Sequence, residues 1–168
     1  MNIQTLFVKA FESSRGLKKL NLALAIGIPF NRPHKLKITH LKPGEAKVHA
    51  PFIRKNMNHI KGMHACCLAT LAEFTSGLVM LGSVQSDKYR LIMESIEVKY
   101  FFQGKSGCTA SYELDSDTLK SQIIEPLTSG QIVFYKCEVP VHDADGNHVC
   151  TGFINWQIKS WDKVKTKA

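Results

Sequence analysis

The chain has 168 residues, 44% apolar and 21% charged, which suits one globular domain with its own core and excludes a disordered or low-complexity protein. Its formal charge of +8 favours anionic ligands, but the cations are scattered, with no basic stripe interleaved with aromatics, so nucleic-acid binding is not expected. Met1–Arg15 carries no signal-peptide pattern, and the most apolar stretch, Gly62–Gln85, is interrupted by His64, Thr70, Glu73, Thr75 and Ser76; the expectation is a cytoplasmic protein without stable membrane insertion.

Residues 2–29 place Leu6, Ala10, Phe11, Leu17, Leu20, Leu24 and Ile28 at helical spacing, broken by Gly16 and Gly27. One or two amphipathic helices ending near Pro29 follow, with the role of covering the fold; a membrane-surface role is the weaker alternative. Two short strands, Lys35–Lys42 and Glu45–Ala50, join at Pro43-Gly44. Pro51–Gly62 reads as a loop. Met63–Val84 is the strongest helix, rich in Ala, Leu and Met.

Four strands come next. In Tyr89–Phe102 the alternation puts Ile92, Ile96, Val98, Tyr100 and Phe102 on one face. Cys108–Leu114, Ile132–Val141 and His148–Lys159 alternate similarly. Asp117–Glu125 is expected to be a short helix capped by Ser116 and stopped at Pro126. Gln103–Gly107 and Ala144–Asn147 look like hairpin turns. The order is α+β: a sheet of about six antiparallel strands whose apolar face the long helix covers.

The five cysteines, an odd number with no C-x-x-C, read as buried small apolar residues rather than disulfides. Gly104-Lys105-Ser106 lacks the first Gly of a phosphate loop, with Lys99 in its place, and Asp143–Asn147 lacks the Glu a calcium loop needs, with Ile154 there. No Gly-x-Ser-x-Gly is present.

Glu73 is the one formally charged side chain between Gly62 and Ser86. A carboxylate in an apolar helix is costly unless paired, hydrogen-bonded or protonated. Either a Lys or Arg pairs with it, or it is a functional acid in a cleft. His64 stands near the helix start, where free N–H groups and the macrodipole polarise a carbonyl or bind an oxyanion. The amides of Ala65 and Cys66 stand at this position, and His64 is otherwise an ordinary cap.

Asn58-His59-Ile60-Lys61-Gly62-Met63-His64-Ala65 followed by Leu71-Ala72-Glu73-Phe74-Thr75-Ser76-Gly77 resembles the signature of hot-dog-fold thioesterases, the phenylacetate-degradation type above all. That signature has an Asn, a His-Gly-Gly six residues on, and an Asp or Glu nine residues after the His, which are the spacings of Asn58, His64 and Glu73. The chain is similar still more closely to a branch that carries Asn-His-Ile, His-Ala and Leu-Ala-Glu behind an extra N-terminal helical segment. The resemblance implies a single hot-dog domain over residues 31–168, with residues 1–30 as a helical extension packed on it. It also implies a homodimer or tetramer whose sheets join edge to edge, with each active site formed between subunits.

The activity implied is hydrolysis of an acyl-CoA or acyl-carrier thioester, with no cofactor beyond the coenzyme A of the substrate. Ala65 would donate its amide to the thioester carbonyl, Glu73 would act as base or nucleophile, Asn58 would position water or thioester, and His64 would orient the helix start. Gly62, Cys66 and Ser95 would contact substrate, with Arg54, Lys61 and Arg90 (and Lys55 and Lys88) on the coenzyme A phosphates. Two positions depart from the family: His64-Ala65-Cys66 replaces His-Gly-Gly, and the helper hydroxyl of the following strand aligns near Met93, with Ser95 the nearest substitute. The alternative is a non-catalytic module that binds an acyl group or acyl-CoA.

Overall fold

The computed structural model describes residues 3–165. Two helices come first, α1 (Ile3–Glu12) and α2 (Ser14–Gly27). The break between them is chemical: Ser13 turns extended and its side chain accepts the Gly16 amide, an N-cap that starts α2. The strands are β1 (Lys37–Lys42), β2 (Glu45–Ala50), β3 (Tyr89–Tyr100), β4 (Cys108–Glu113), β5 (Val133–Asp143) and β6 (His148–Ser160). Between β2 and β3 runs α3 (Ala65–Ser83).

One antiparallel sheet holds all six strands in the order β1-β2-β4-β5-β6-β3. Two expected turns differ in outcome. Asp143–Asn147 closes a hairpin between β5 and β6 with Gly146 at φ 84°, where glycine meets no steric penalty. Gln103–Gly107 does not close one: β3 pairs with β6, so the link from β3 to β4 crosses the sheet. Local turn residues cannot reveal which strand a chain pairs with next.

α3 lies in the curve of the sheet. Leu71, Ala72 and Met80 of the helix and Val139, Cys150 and Ile154 of the sheet are fully buried. The approach is close, since a methyl on Gly152 of β6 would stand 2.6 Å from Ala72 Cβ. By length and apolarity α3 would cross a membrane, yet here it is the core helix. Its buried hydroxyls are satisfied within the helix, Thr75 Oγ1 donating to the Leu71 carbonyl and Ser76 Oγ to the Glu73 carbonyl.

α1 and α2 cover the C-terminal end and one flank of α3. Phe7, with no exposed surface, packs against Gly82, and Gln4 Nε2 donates to the Leu81 and Val84 carbonyls. Asn21 ties α2 to β1: Nδ2 donates to the Ile38 carbonyl at 3.0 Å and Oδ1 accepts the Ile38 amide at 2.8 Å.

Between β4 and β5, short helical turns run over Ser116–Thr118, Leu119–Ile124 and Glu125–Thr128. Asp115, not Ser116, is the cap, accepting the amides of Asp117 and Thr118. Pro126 does not stop the segment, because the preceding turn widens to i→i+5 bonding, which lessens the need for the N–H that proline lacks.

β3 is the sheet edge. A bulge at Glu94 shifts its register, so that Met93 opposes Trp156 while Ser95 opposes Asn155. One extra residue flips every later side chain to the other face. Ile96, Val98 and Tyr100 therefore face α3 with Met93, and Ile92 is on the opposite face from Ile96, contrary to the simple alternation of the sequence.

Candidate active site

The chain reaches α3 through a loop that its own polar groups hold. Asn56 is fully buried and donates to the carbonyls of His34 and Pro51, while its backbone carbonyl accepts the His64 amide at 2.7 Å. Asn58 organises the tight turn that follows. Its Oδ1 accepts the amides of Ile60 and Gly62, its Nδ2 donates to the Met63 carbonyl at 3.3 Å, and Lys61 adopts a left-handed φ of 58°. Asn58 thus spends its acceptor on the turn, leaving one Nδ2 proton for anything else. Gly62 is buried beneath the turn, against Gln103.

His64 caps α3 by a ring nitrogen: Nδ1 accepts the Cys66 amide at 3.1 Å. That bond uses the Cys66 donor; the Ala65 amide, the first of the helix and on an exposed residue, has no intrahelical acceptor. His64, Ala65 and Cys66 are all exposed, and Tyr100, from the far end of β3, donates its hydroxyl to the Ala65 carbonyl at 2.9 Å. The loop cations Arg54, Lys55 and Lys61 are exposed nearby in the chain. Of the five cysteines, Cys66 alone is exposed; burial pushes the Cys67 and Cys137 thiols up to about 11 and the Cys108 and Cys150 thiols up to about 12, making them packing groups.

Glu73 lines a cavity of about 430 Å³ together with Gly77, Leu81, Arg90, Leu91 and Trp156. Among the described residues no cation lies within ion-pair distance of its carboxylate. Burial alone pushes its carboxyl above the ordinary carboxylate range. Of the two explanations open from sequence, the structure offers the acid in a cleft. Glycine at 77 keeps the cleft open, since a Cβ there would stand 3.9 Å from Glu73 Oε1 and 3.2 Å from the Trp156 ring. The ring is anchored below: Trp156 Nε1 donates to the buried Ser76 Oγ at 3.1 Å, and Ser76 Oγ donates to the Glu73 carbonyl.

The expected residues thus form two groups. Asn58, Gly62, His64, Ala65 and Cys66 gather at the helix start, while Glu73 and Arg90 share the cavity. Eight residues of helix separate Ala65 from Glu73, a rise of about 12 Å. Within a single chain the two groups are therefore set apart along α3. Ser95 joins neither group, because the bulge turns it to the sheet face away from α3. Ser76, Gly77 and Trp156 were not singled out from sequence. Gly77 carried a signal, standing one helical turn after Glu73 on the same face; Trp156 carried none.

A family model described as a domain of unknown function, DUF4442, matches residues 16–158. Among solved structures, a Pseudomonas aeruginosa protein described as a probable thioesterase superimposes with a TM-score of 0.77 at 26% identity, over 85% of this chain and 95% of its own. A second P. aeruginosa protein, a thioesterase solved as a Gln-to-Ala variant, gives 0.69 at 12% identity, covering 89% and 98%. A phenylacetic acid degradation protein from Thermus thermophilus gives 0.58 at 19%, covering 78% and 98%. No curated protein matches the chain. The architecture shared with these structures is the hot-dog fold, six antiparallel strands around one helix.

Proposed function

We infer the function from the premise that this chain belongs to the DUF4442 family and has the hot-dog fold of the thioesterase superfamily: it is a thioester hydrolase acting on acyl-CoA or an acyl carrier, with Glu73 as its acid–base group. The observation that carries the reading is a carboxylate that, among the described residues, has no cation within ion-pair distance, raised by burial, in a largely apolar cavity. A group raised toward neutral pH is a better base there, and a positioned base contributes about 10²–10⁴-fold. Glu73 takes a proton from water as the water oxygen bonds to the carbonyl carbon; the thiolate leaves and receives that proton. The Ala65 amide, aided by the helix dipole, holds the developing oxyanion and contributes about 3–4 kcal/mol.

The Ala65 amide and Glu73 act from different subunits of a homodimer. The geometry of β3 supports this. Its beginning, at Arg90 and Leu91, lines the Glu73 cavity, and its end, at Tyr100, holds the Ala65 carbonyl. Antiparallel pairing of β3 with its own copy about a two-fold axis near its middle exchanges those ends, bringing Glu73 of one copy toward Ala65 of the other. The edge is also unprotected: Ile92 and Ile96 are each 37% exposed, Met93 40% and Tyr100 47%. A long apolar edge strand invites pairing. Arg54 and Lys61 flank the helix start as contacts for coenzyme A phosphates. The test is thiol release from acyl-CoAs by wild type and Glu73→Gln. A fall of roughly 10²–10⁴-fold is expected, and equal turnover refutes the role of Glu73. Tight acyl-CoA binding without hydrolysis by the wild type identifies a binding module instead.

A further inference from the structure

The Glu73 cavity has a wall that the sheet and α3 do not supply: α2 contributes Leu24, and Ile28, which caps the end of α2, stands beside it. Resting on the reading of Glu73 as the thioester-cleaving group, we propose that α2 is an acyl-chain gauge, and that Leu24 and Ile28 limit the substrate to a medium-length aliphatic acyl group of about eight to ten carbons.

The lining joins Glu73 and the beginning of β3 to Leu24 and Ile28 by way of Phe74, Gly77, Leu78 and Leu81 of α3. Away from Glu73 and Arg90 the lining is chiefly apolar, including Phe74, Leu78 and Leu81 as well as Leu24 and Ile28. A polar head group has few partners there, whereas a hydrocarbon tail needs none. Along α3 the lining runs from Glu73 to Leu81, a rise of about 12 Å. Zigzag single bonds of about 1.5 Å each advance about 1.25 Å, so eight to ten carbons fill it.

The wall is held as a gauge must be. Asn21 bonds both backbone groups of Ile38, and Leu20, one turn before Leu24, has no exposed surface. Leu22 and Ile26, 64% and 68% exposed, mark the other face of the helix, so Leu24 is directed at the void, and the capping Ile28 lines it as well.

The experiment compares saturated acyl-CoAs from butanoyl to hexadecanoyl on wild type, Leu24→Trp and Leu24→Ala, each checked for folding by circular dichroism. In the wild type kcat/KM is expected to rise about 3–4-fold per methylene, the hydrophobic increment, and to level near ten carbons. Leu24→Trp lowers the decanoyl-to-butanoyl ratio at least tenfold, and Leu24→Ala raises the tetradecanoyl-to-decanoyl ratio. Ratios unchanged in both folded variants overturn the proposal. Calorimetric binding of the same series to Glu73→Gln, with and without Leu24→Trp, separates it from the hydrolase reading. A length limit that Leu24→Trp shortens keeps the gauge even if no thioester is cleaved, and affinity indifferent to chain length removes it.

Discussion

If the two halves of the active site come from different chains, two dead variants should rescue each other. Glu73→Gln removes the base while keeping the volume of the side chain. Ala65→Pro removes the oxyanion donor, and its position makes it a clean lesion. Ala65 is the first helical residue, where proline is favoured and the lost N–H has no partner within the helix. The preceding His64, at φ −71° and ψ 135°, is already in the extended region that a following proline demands. Each homodimer should lose roughly 10²–10³-fold or more. Co-refolded in equal amounts, half of the dimers are mixed, and each mixed dimer has one site with both groups intact. The expected recovery is about a quarter of the wild-type rate, as two-fold symmetry requires. The assay is thiol release against mixing ratio, with a thermal melt to show that Ala65→Pro folds. No recovery from verified mixed dimers would mean that each site is built within one chain, and the separation of about 12 Å along α3 would have to be bridged another way.

Other outcomes follow from the same geometry. Burial raises the Glu73 carboxyl, so the folded chain keeps a proton that the unfolded chain gives up. Below the ordinary carboxylate range this costs nothing; as pH rises through the window between the ordinary and raised values, stability is lost. Glu73→Gln should therefore melt higher than wild type at neutral pH and equally at acidic pH, and a gap that does not grow with pH contradicts the burial argument. Ile96→Lys puts a charge in the middle of the β3 edge and should give a monomer by sedimentation with little activity; a stable, active dimer would move the interface elsewhere. Asn58→Asp keeps the acceptor for the Ile60 and Gly62 amides and should hold the turn, whereas Asn58→Ala loses it and should cost about 1–3 kcal/mol. If the two variants lower activity equally at equal stability, the amide acts on the substrate rather than on the turn.

Much of the candidate site was legible because it is local. The spacing of Asn58, His64 and Glu73 sits on one loop and one helix, and a lone carboxylate in an apolar helix announces itself by its cost. Asn58 shows the limit of such reading: spacing marked it, yet only its bonds reveal a turn-holding side chain. Ser95 shows another, since a single bulge at Glu94 reversed its face and no residue type in Ile92–Ile96 signals a bulge. Trp156, Leu24 and Ile28 come to Glu73 from remote segments and left no pattern in its neighbourhood.

The order of residues alone determined the N-terminal helices, the places of the six strands and the buried helix with its one acid, since each follows from periodicity and polarity over a few neighbouring positions, whereas the faces of β3 and the ends of the segment around Pro126 did not. The tertiary structure decided that β3 is an edge strand paired with β6 rather than an arm of a hairpin with β4, that Glu73 lines a cavity without an ion pair among the described residues, and that α2 lines that cavity too. Those outcomes depend on which distant surfaces meet, and contact between remote segments is settled by packing across the whole core, where local preference has no vote.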